Sequence, residues 1–218
     1  MGFNTERELV ELFKRSFTNM ADPNKNSKIL EEVSLGFGIA DLVISEYKDC
    51  VSCFEREQLT PIDINVYQII KNKKRISFEA IINTTRSNKQ SISKSLEKLI
   101  KGCFVKKEDS YYEFTNKYEL SFKKSIAFEA KLRNWKKALT QAYRYKWFAD
   151  YSYVVLDHDH SKSAIENIQI FKDANIGLIT ISTDGSLEYY HSPQKQKPID
   201  PTMQILLSEV FLYSKEVD

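Results

Sequence analysis

Apolar residues recur along this chain in two rhythms, and the change from one to the other divides it into three stretches. Over residues 5–18 the rhythm is helical: Phe3, Glu6, Val10, Phe13 and Phe17 share one face, and Thr5 or Asn4 can cap its start. The turn-rich ADPNKNSK at 21–28 ends that helix. EEVSLGFGIADLVISEY follows, a β-rich run in which Ile39, Leu42, Val43 and Ile44 surround Asp41. Gly36 and Gly38 suit a turn or bulge just before that aspartate.

From Leu59 the helical rhythm returns. TPIDINVYQIIKN spaces Ile62, Val66, Ile69 and Ile70 on one face behind a proline, and ISFEAIINTT predicts a second short helix. QSISKSLEKLIKGC predicts a third, with Ile92, Leu96, Leu99 and Ile100 inward and Gly102 as its stop. FVKKEDSYYEFT reads as a hairpin turning at Glu108–Ser110. Three helices and a hairpin over residues 58–120 are the element order of a winged helix-turn-helix domain. The last stretch alternates: strand KKSIAFEAKL, helix NWKKALTQAYRYKWFAD, strand YSYVVLD, helix KSAIENIQIFKDAN, strands IGLITIST and SLEYYH, and helix MQILLSEVFLYSK. Such alternation predicts an α/β fold, a sheet flanked by helices. The domain expectation is therefore a discontinuous core of 1–57 and 121–218 interrupted by 58–120.

Charge sharpens this division. The net +2 of the 218 residues splits unevenly, because 58–120 hold 12 Lys/Arg against 7 Asp/Glu and the remainder 20 against 23. A middle stretch at +5 points to a polyanionic partner. The opening MGFNTERELVELFKRSF lacks the apolar core of a signal peptide, and no run of about 18 uncharged apolar residues occurs anywhere. Three cysteines, Cys50, Cys53 and Cys103, form no disulfide framework, and a lone C-x-x-C is too few ligands for zinc. The expectation is a cytoplasmic chain with reduced thiols and no membrane span.

Candidate chemistry lies in the charges that the apolar pattern should exclude. Asp41 sits inside an apolar strand, where an isolated charge is costly. Glu129 and Lys131 are two apart on another strand and so share a face, with Ala130 turned away. Glu6 lies on the apolar stripe of the first helix. Carboxylates of this kind suit a hard divalent cation, which takes oxygen ligands and stabilises charge developing on a phosphoryl group. A neighbouring lysine can orient water or help deprotonate it, since burial or a nearby cation lowers its pKa.

Asp41 in ADLVI followed by Glu129-x-Lys131 in AFEAKL resembles the motif pair of the PD-(D/E)xK nuclease superfamily. ERELVELF is similar to the first helix of archaeal Holliday-junction resolvases, and Gln141-x-x-x-Tyr145 to the extra motif of RecB-like nucleases. Ala40 stands where the superfamily usually has proline, and the inserted stretch accounts for the long gap between the strand motifs. The resemblance implies a restriction-endonuclease-like mixed sheet and a metal-dependent nuclease hydrolysing DNA. It implies Mg²⁺, with Mn²⁺ able to substitute, held by Asp41, Glu129 and the Ala130 carbonyl. Lys131 would orient the attacking water, Glu6 would support the metal or its waters, and Gln141 and Tyr145 would face the site.

In the insert, Lys89, Gln90, Ser91, Ser93, Lys94 and Lys98 on the third helix, with Lys101 behind them and Lys106 and Lys107 in the wing, are the expected DNA contacts. DNA is the expected partner, with a second copy of the chain as a further candidate. Trp135, Tyr143, Trp147 and Phe148 read as packing residues, and Asp157-His158-Asp159-His160 as a polar loop at a strand end. Two other classes fit the same sequence: a DNA-binding transcriptional regulator with a catalytically silent nuclease-like fold, and a protein–protein module. Steep weakening of binding with salt separates phosphate-driven docking from the latter.

Overall fold

The structure, a computed structural model, describes residues 2–20, 27–36, 38–48 and 56–214. Cys50 and Cys53 lie outside the described residues. Along the chain, α1 (Glu6–Met20) precedes the antiparallel pair β1 (Ser27–Ser34) and β2 (Ile39–Tyr47). Then come α2 (Pro61–Lys73), β3 (Arg75–Ser77), α3 (Phe78–Thr85), α4 (Lys89–Lys101), β4 (Val105–Glu108) and β5 (Tyr111–Phe114). The remainder runs β6 (Phe122–Lys131), α5 (Trp135–Tyr145), β7 (Tyr151–Asp157), a 3₁₀ turn at His158–His160, and two short helices α6 (Lys162–Glu166) and α7 (Ile168–Ala174). Strands β8 (Gly177–Ile181) and β9 (Leu187–His191) and helix α8 (Pro201–Tyr213) complete it.

These elements form two compact units, one of residues up to 47 with 122–201, the other of 48–121 with the residues from 202 on. The first is α/β: a mixed six-stranded sheet in the order β1-β2-β6-β7-β8-β9, flanked by helices. β6, β7 and β8 are parallel, and the remaining neighbours are antiparallel. Leu9 and Phe13 of α1 are fully buried against Leu42, Ile44, Phe128 and Ala130 of the sheet. Alternation along β6 therefore aims Phe128 and Ala130 at α1 and turns Glu129 and Lys131 to the other face. Asp157 is buried at the end of β7, where it accepts the Phe3 N–H (3.2 Å) and the Asp159 N–H (3.1 Å). The Asp-His-Asp-His run is thus a capped polar turn.

In the second unit a three-stranded sheet, order β3-β5-β4, packs with α2, α3, α4 and α8 around Tyr67, Ile81, Leu96, Leu99 and Ile205. Here the structure corrects the expected boundaries, because α8 belongs to this unit and not to the sheet unit. Ile205 of α8 lies in this core, and Glu209 of α8 is fully buried. Its carboxylate accepts from Arg56 Nη1 (3.0 Å) and Nη2 (2.5 Å), the Leu59 N–H (2.7 Å) and the Tyr118 hydroxyl (2.5 Å). Burial alone would lower the Arg56 guanidinium, but the Glu209 carboxylate outweighs it and the net shift is upward. None of the helices among the described residues is long and apolar enough to cross a membrane.

Two further elements differ from expectation. β1 is a separate strand, paired from Ser27 to Ser34 with β2, and it absorbs the end of the expected turn. Residues 162–174 form two helices instead of one, broken at Asn167.

Candidate active site

Strand pairing brings the distant motifs together. β2 and β6 are antiparallel neighbours, and the register ends with Leu42 opposite Phe128, so Asp41 and Glu129 stand one step further on. Asp41 Oδ2 accepts the Ala130 N–H at 2.7 Å, which ties the aspartate to the middle of the E-x-K motif. On its other side the β1–β2 ladder skips a step between Glu31↔Leu42 and Val33↔Ala40. The skipped residue, Glu32, has φ +51°, a left-handed conformation uncommon for a non-glycine residue.

Lys131 is the hub. Its Nζ donates to Glu6 Oε2 at 3.0 Å and to the Ala130 carbonyl at 2.9 Å, and it lies 3.0 Å from Glu129 Oε1. Three oxygens from α1 and β6 thus converge on one positive charge. The Glu129 contact is an ion pair without hydrogen-bond alignment, so Glu129 Oε1 is buried with no hydrogen-bond partner among the described residues. Glu6 is half-exposed, whereas Glu129 is buried.

Tyr145 closes the site from α5. Its ring is buried, and its hydroxyl reaches both Glu129 Oε2 and the Ile39 carbonyl (2.7 Å). One hydroxyl hydrogen cannot serve two acceptors at once. Both contacts are hydrogen-bonded when Glu129 carries a proton. Gln141, one turn earlier, is half-buried with its Oε1 sealed from solvent and without a hydrogen-bond partner among the described residues. The expected pair thus divides: Tyr145 holds Glu129, while Gln141 has no bond to the site.

The electrostatics follow from this crowding. Burial pushes the Asp41 carboxyl up; the Ala130 N–H and Lys131 oppose this, and Glu6 and Glu32 add to it. Burial likewise pushes Glu129 up, with Asp41 adding to the rise and the Tyr145 hydroxyl and Lys131 opposing it. The Tyr145 phenol is raised by burial and then by Glu129. For Lys131, burial would lower the ammonium, but Glu129, Glu6 and Asp41 outweigh it and hold it above the usual lysine value. That corrects the expectation of a lowered lysine: here it is a firm cation.

A hard divalent cation fits this donor set. The set is all oxygen, Asp41 disfavours charge on Glu129, and the buried Glu129 Oε1 faces the Lys131 ammonium at 3.0 Å. No cluster of three or more His, Cys, Asp and Glu able to hold a metal ion occurs among the described residues. Two carboxylates, a carbonyl and waters suit Mg²⁺ better than zinc.

The expected DNA contacts are less uniform. Lys89, Gln90 and Lys94 on α4 and Lys107 in β4 are exposed, and those three lysines have no ion pair among the described residues. Ser91 is half-exposed with its N–H donating to the Asn88 cap, and Ser93 is half-exposed. Lys98, however, pairs with Asp63 (3.5 Å) and Glu57 (3.7 Å), and Lys101 with Glu57 (3.6 Å). Lys106 pairs with Glu108 and with Glu113 (3.1 Å). Lysines held this way owe part of their charge to the protein itself.

Two residues escaped the sequence. Glu32 carried no signal beyond lying in a pair of glutamates. Tyr143, expected to pack, is 51% exposed, although its position on the polar side of α5 could have shown this. Trp135 and Phe148 are buried as expected, and Trp147 is partly buried.

No protein-family model and no curated protein matches this chain. Among solved structures it is similar to the solution structure of a DNA binding protein from Sulfolobus islandicus, at 20% identity, over 26% of this chain and 95% of that one. The TM-score is 0.25, too low to establish a shared fold.

Proposed function

We propose that the chain is a metal-dependent deoxyribonuclease with a restriction-endonuclease-like core, docked on DNA through an inserted winged helix. One observation carries the reading: Glu6, Glu129 and the Ala130 carbonyl converge within 3.0 Å of one cationic centre, and Asp41 is bonded to the same peptide segment. Supporting it, the second unit runs helix, short strand, helix, helix, hairpin, the order of a winged helix. Asp41, Glu129 and the Ala130 carbonyl would hold Mg²⁺, with Mn²⁺ able to replace it, and the bound ion would supply Lewis-acid stabilisation of charge developing on the phosphate.

The chain's own groups then have separate tasks. The Lys131 ammonium orients the attacking water by donating to it, and Glu6 fixes that ammonium from α1. Tyr145 sets the rotamer of Glu129, and the Ala130 N–H sets that of Asp41. The water gives up a proton to solvent as its oxygen attacks phosphorus in line, the bond to the leaving ribose oxygen breaks, and that oxygen takes up a proton from solvent. Lys89, Lys94 and Lys107 contribute phosphate contacts from the insert.

A second reading, a DNA-binding regulator with a silent site, draws on one feature: the ammonium already occupies the oxygens that would face a metal. Cleavage of linear, nicked, branched and single-stranded DNA with Mg²⁺ or Mn²⁺, compared with Lys131→Ala, separates the two. The nuclease reading expects cleavage that the variant loses by about 100-fold or more. Equal cleavage by Lys131→Ala sinks the assignment, and tight binding without cleavage on any substrate favours the regulator.

A further inference from the structure

Between Lys131 and Phe148 the chain carries six cations, Lys131, Arg133, Lys136, Lys137, Arg144 and Lys146, and no Asp or Glu. This acid-free density exceeds that of the insert, where 12 cations share 63 positions with 7 acids. In α5 the helix turns Trp135, Ala138, Ala142 and Tyr145 into the protein, and Lys136, Lys137, Thr140, Tyr143 and Arg144 outward. Lys137, Thr140, Gln141 and Arg144 follow i, i+3, i+4, i+7 and therefore form one stripe. That stripe flanks the Tyr145 side of the helix, the side that meets Glu129. Unlike Lys98, Lys101 and Lys106, neither Lys137 nor Arg144 has an ion pair among the described residues.

We infer that this flank of α5 is a track for the sugar–phosphate backbone of a DNA strand leading into the candidate active site. The inference rests on the nuclease reading for where the strand ends, and on the charge pattern for where it runs. Seven residues of helix span about 10 Å, and one DNA strand carries a phosphate every 3.4 Å or so along its axis, so the stripe faces about three phosphates. Lys137 and Arg144 at its ends supply the charge, and between them lies exposed Thr140, whose hydroxyl donates to the Lys136 carbonyl at 3.0 Å. No acid on the helix itself opposes the phosphates, and the field decays over a Debye length of about 8 Å at physiological salt.

The test is binding of a fluorescein-labelled DNA oligonucleotide, single-stranded and duplex, to the full chain in EDTA, followed by anisotropy over a salt series. Each phosphate that is no longer neutralised should lower the slope of log K against log salt by about 0.9 for duplex and 0.7 for single-stranded DNA. Lys137→Ala/Arg144→Ala should therefore lower it by nearly two units on duplex and weaken binding at low salt by at least 10-fold. Lys162→Ala/Lys172→Ala, which removes two exposed cations of the same unit from α6 and α7, should leave the slope unchanged. Lys137→Arg/Arg144→Lys should keep the wild-type slope. If the double alanine variant does not fold, the two single variants should each show half the decrease in slope.

Equal slopes for the α5 variant and the α6/α7 control overturn the track, as does a wild-type chain that binds neither oligonucleotide. Metal-dependent cleavage scored in parallel keeps the two proposals apart. Cleavage with an unaffected slope leaves the nuclease reading standing without the track, and a lowered slope without any cleavage leaves the track without the nuclease.

Discussion

Glu209→Ala should break the second unit selectively. The carboxylate is fully buried and accepts four hydrogen bonds, two from Arg56 and one each from Leu59 N–H and Tyr118. Removing one partner of a buried ion pair costs about 3–5 kcal/mol, because the surviving charge keeps its desolvation without compensation. The Arg56 side chain is only 9% exposed and lies under the rings of Phe104 and Tyr118, so relaxation toward water is limited. The orphaned Leu59 N–H adds to the cost, although the contributions are not additive. A loss of about 3–5 kcal/mol is roughly a fifth or more of the stability of an ordinary domain. Both tryptophans, Trp135 and Trp147, belong to the sheet unit, whereas α2, α3, α4 and α8 lie in the other. In urea, part of the far-ultraviolet circular dichroism change of Glu209→Ala, that from α2, α3, α4 and α8, should therefore precede its tryptophan fluorescence transition. Arg56→Met/Glu209→Met, with both charges replaced by apolar bulk, should recover much of the loss. A shift below about 1 kcal/mol for Glu209→Ala, or a double variant as weak as the single one, would refute the reasoning.

The site and the sheet each give a further expectation. Burial raises both Asp41 and Glu129, so the folded chain binds more protons than the unfolded one above their ordinary values of 3.8 and 4.5. Metal-free stability should then fall as pH rises from those values through the raised folded ones, and Glu129→Gln should flatten the fall and melt higher at neutral pH; a Glu129→Gln chain that melts lower at pH 7 contradicts this. Gly177 lies opposite Tyr153, whose ring would come within 2.0 Å of an added Cβ. Gly177→Ala should accordingly cost about 1–3 kcal/mol in thermal melting, and an unchanged melting temperature would show that the ring moves freely.

Local rhythm made most elements legible. Period two on AFEAKL placed Glu129 and Lys131 on one face, and a charge inside ADLVI marked Asp41 as unusual. Rhythm alone could not give pairing across long separations; only the family resemblance suggested that Asp41 meets the E-x-K strand. Only the β2–β6 register joins Asp41 to Ala130 across 89 residues, and only the skipped ladder step puts Glu32 beside Asp41. β3 is three residues long, too short for any periodicity, and exists because Arg75, Ile76 and Ser77 pair with β5. The membership of α8 was hidden for a different reason. Its apolar residues fit either unit, and the one informative residue, Glu209, needs Arg56 from far upstream to explain it. A net +5 over the insert does not say where the charge lies: Arg75, Lys98, Lys101 and Lys106 pair with acids of the protein itself, and only the structure shows it.

The electrostatics of the candidate site point the same way. Two carboxyls that burial pushes up, Glu129 further by Asp41, are a standing cost to folding when charged, and the Lys131 ammonium offsets part of it. A divalent ion entering between Asp41 and Glu129 would take over that compensation, and the ammonium would have to leave the Ala130 carbonyl. Glu6 gives it somewhere to stay. Half-exposed and on a different element, Glu6 holds Lys131 independently of Glu129, which would be free to hold a metal. If the chain is the proposed nuclease, Glu6 would keep the lysine at the site, and the same ammonium would serve to orient water.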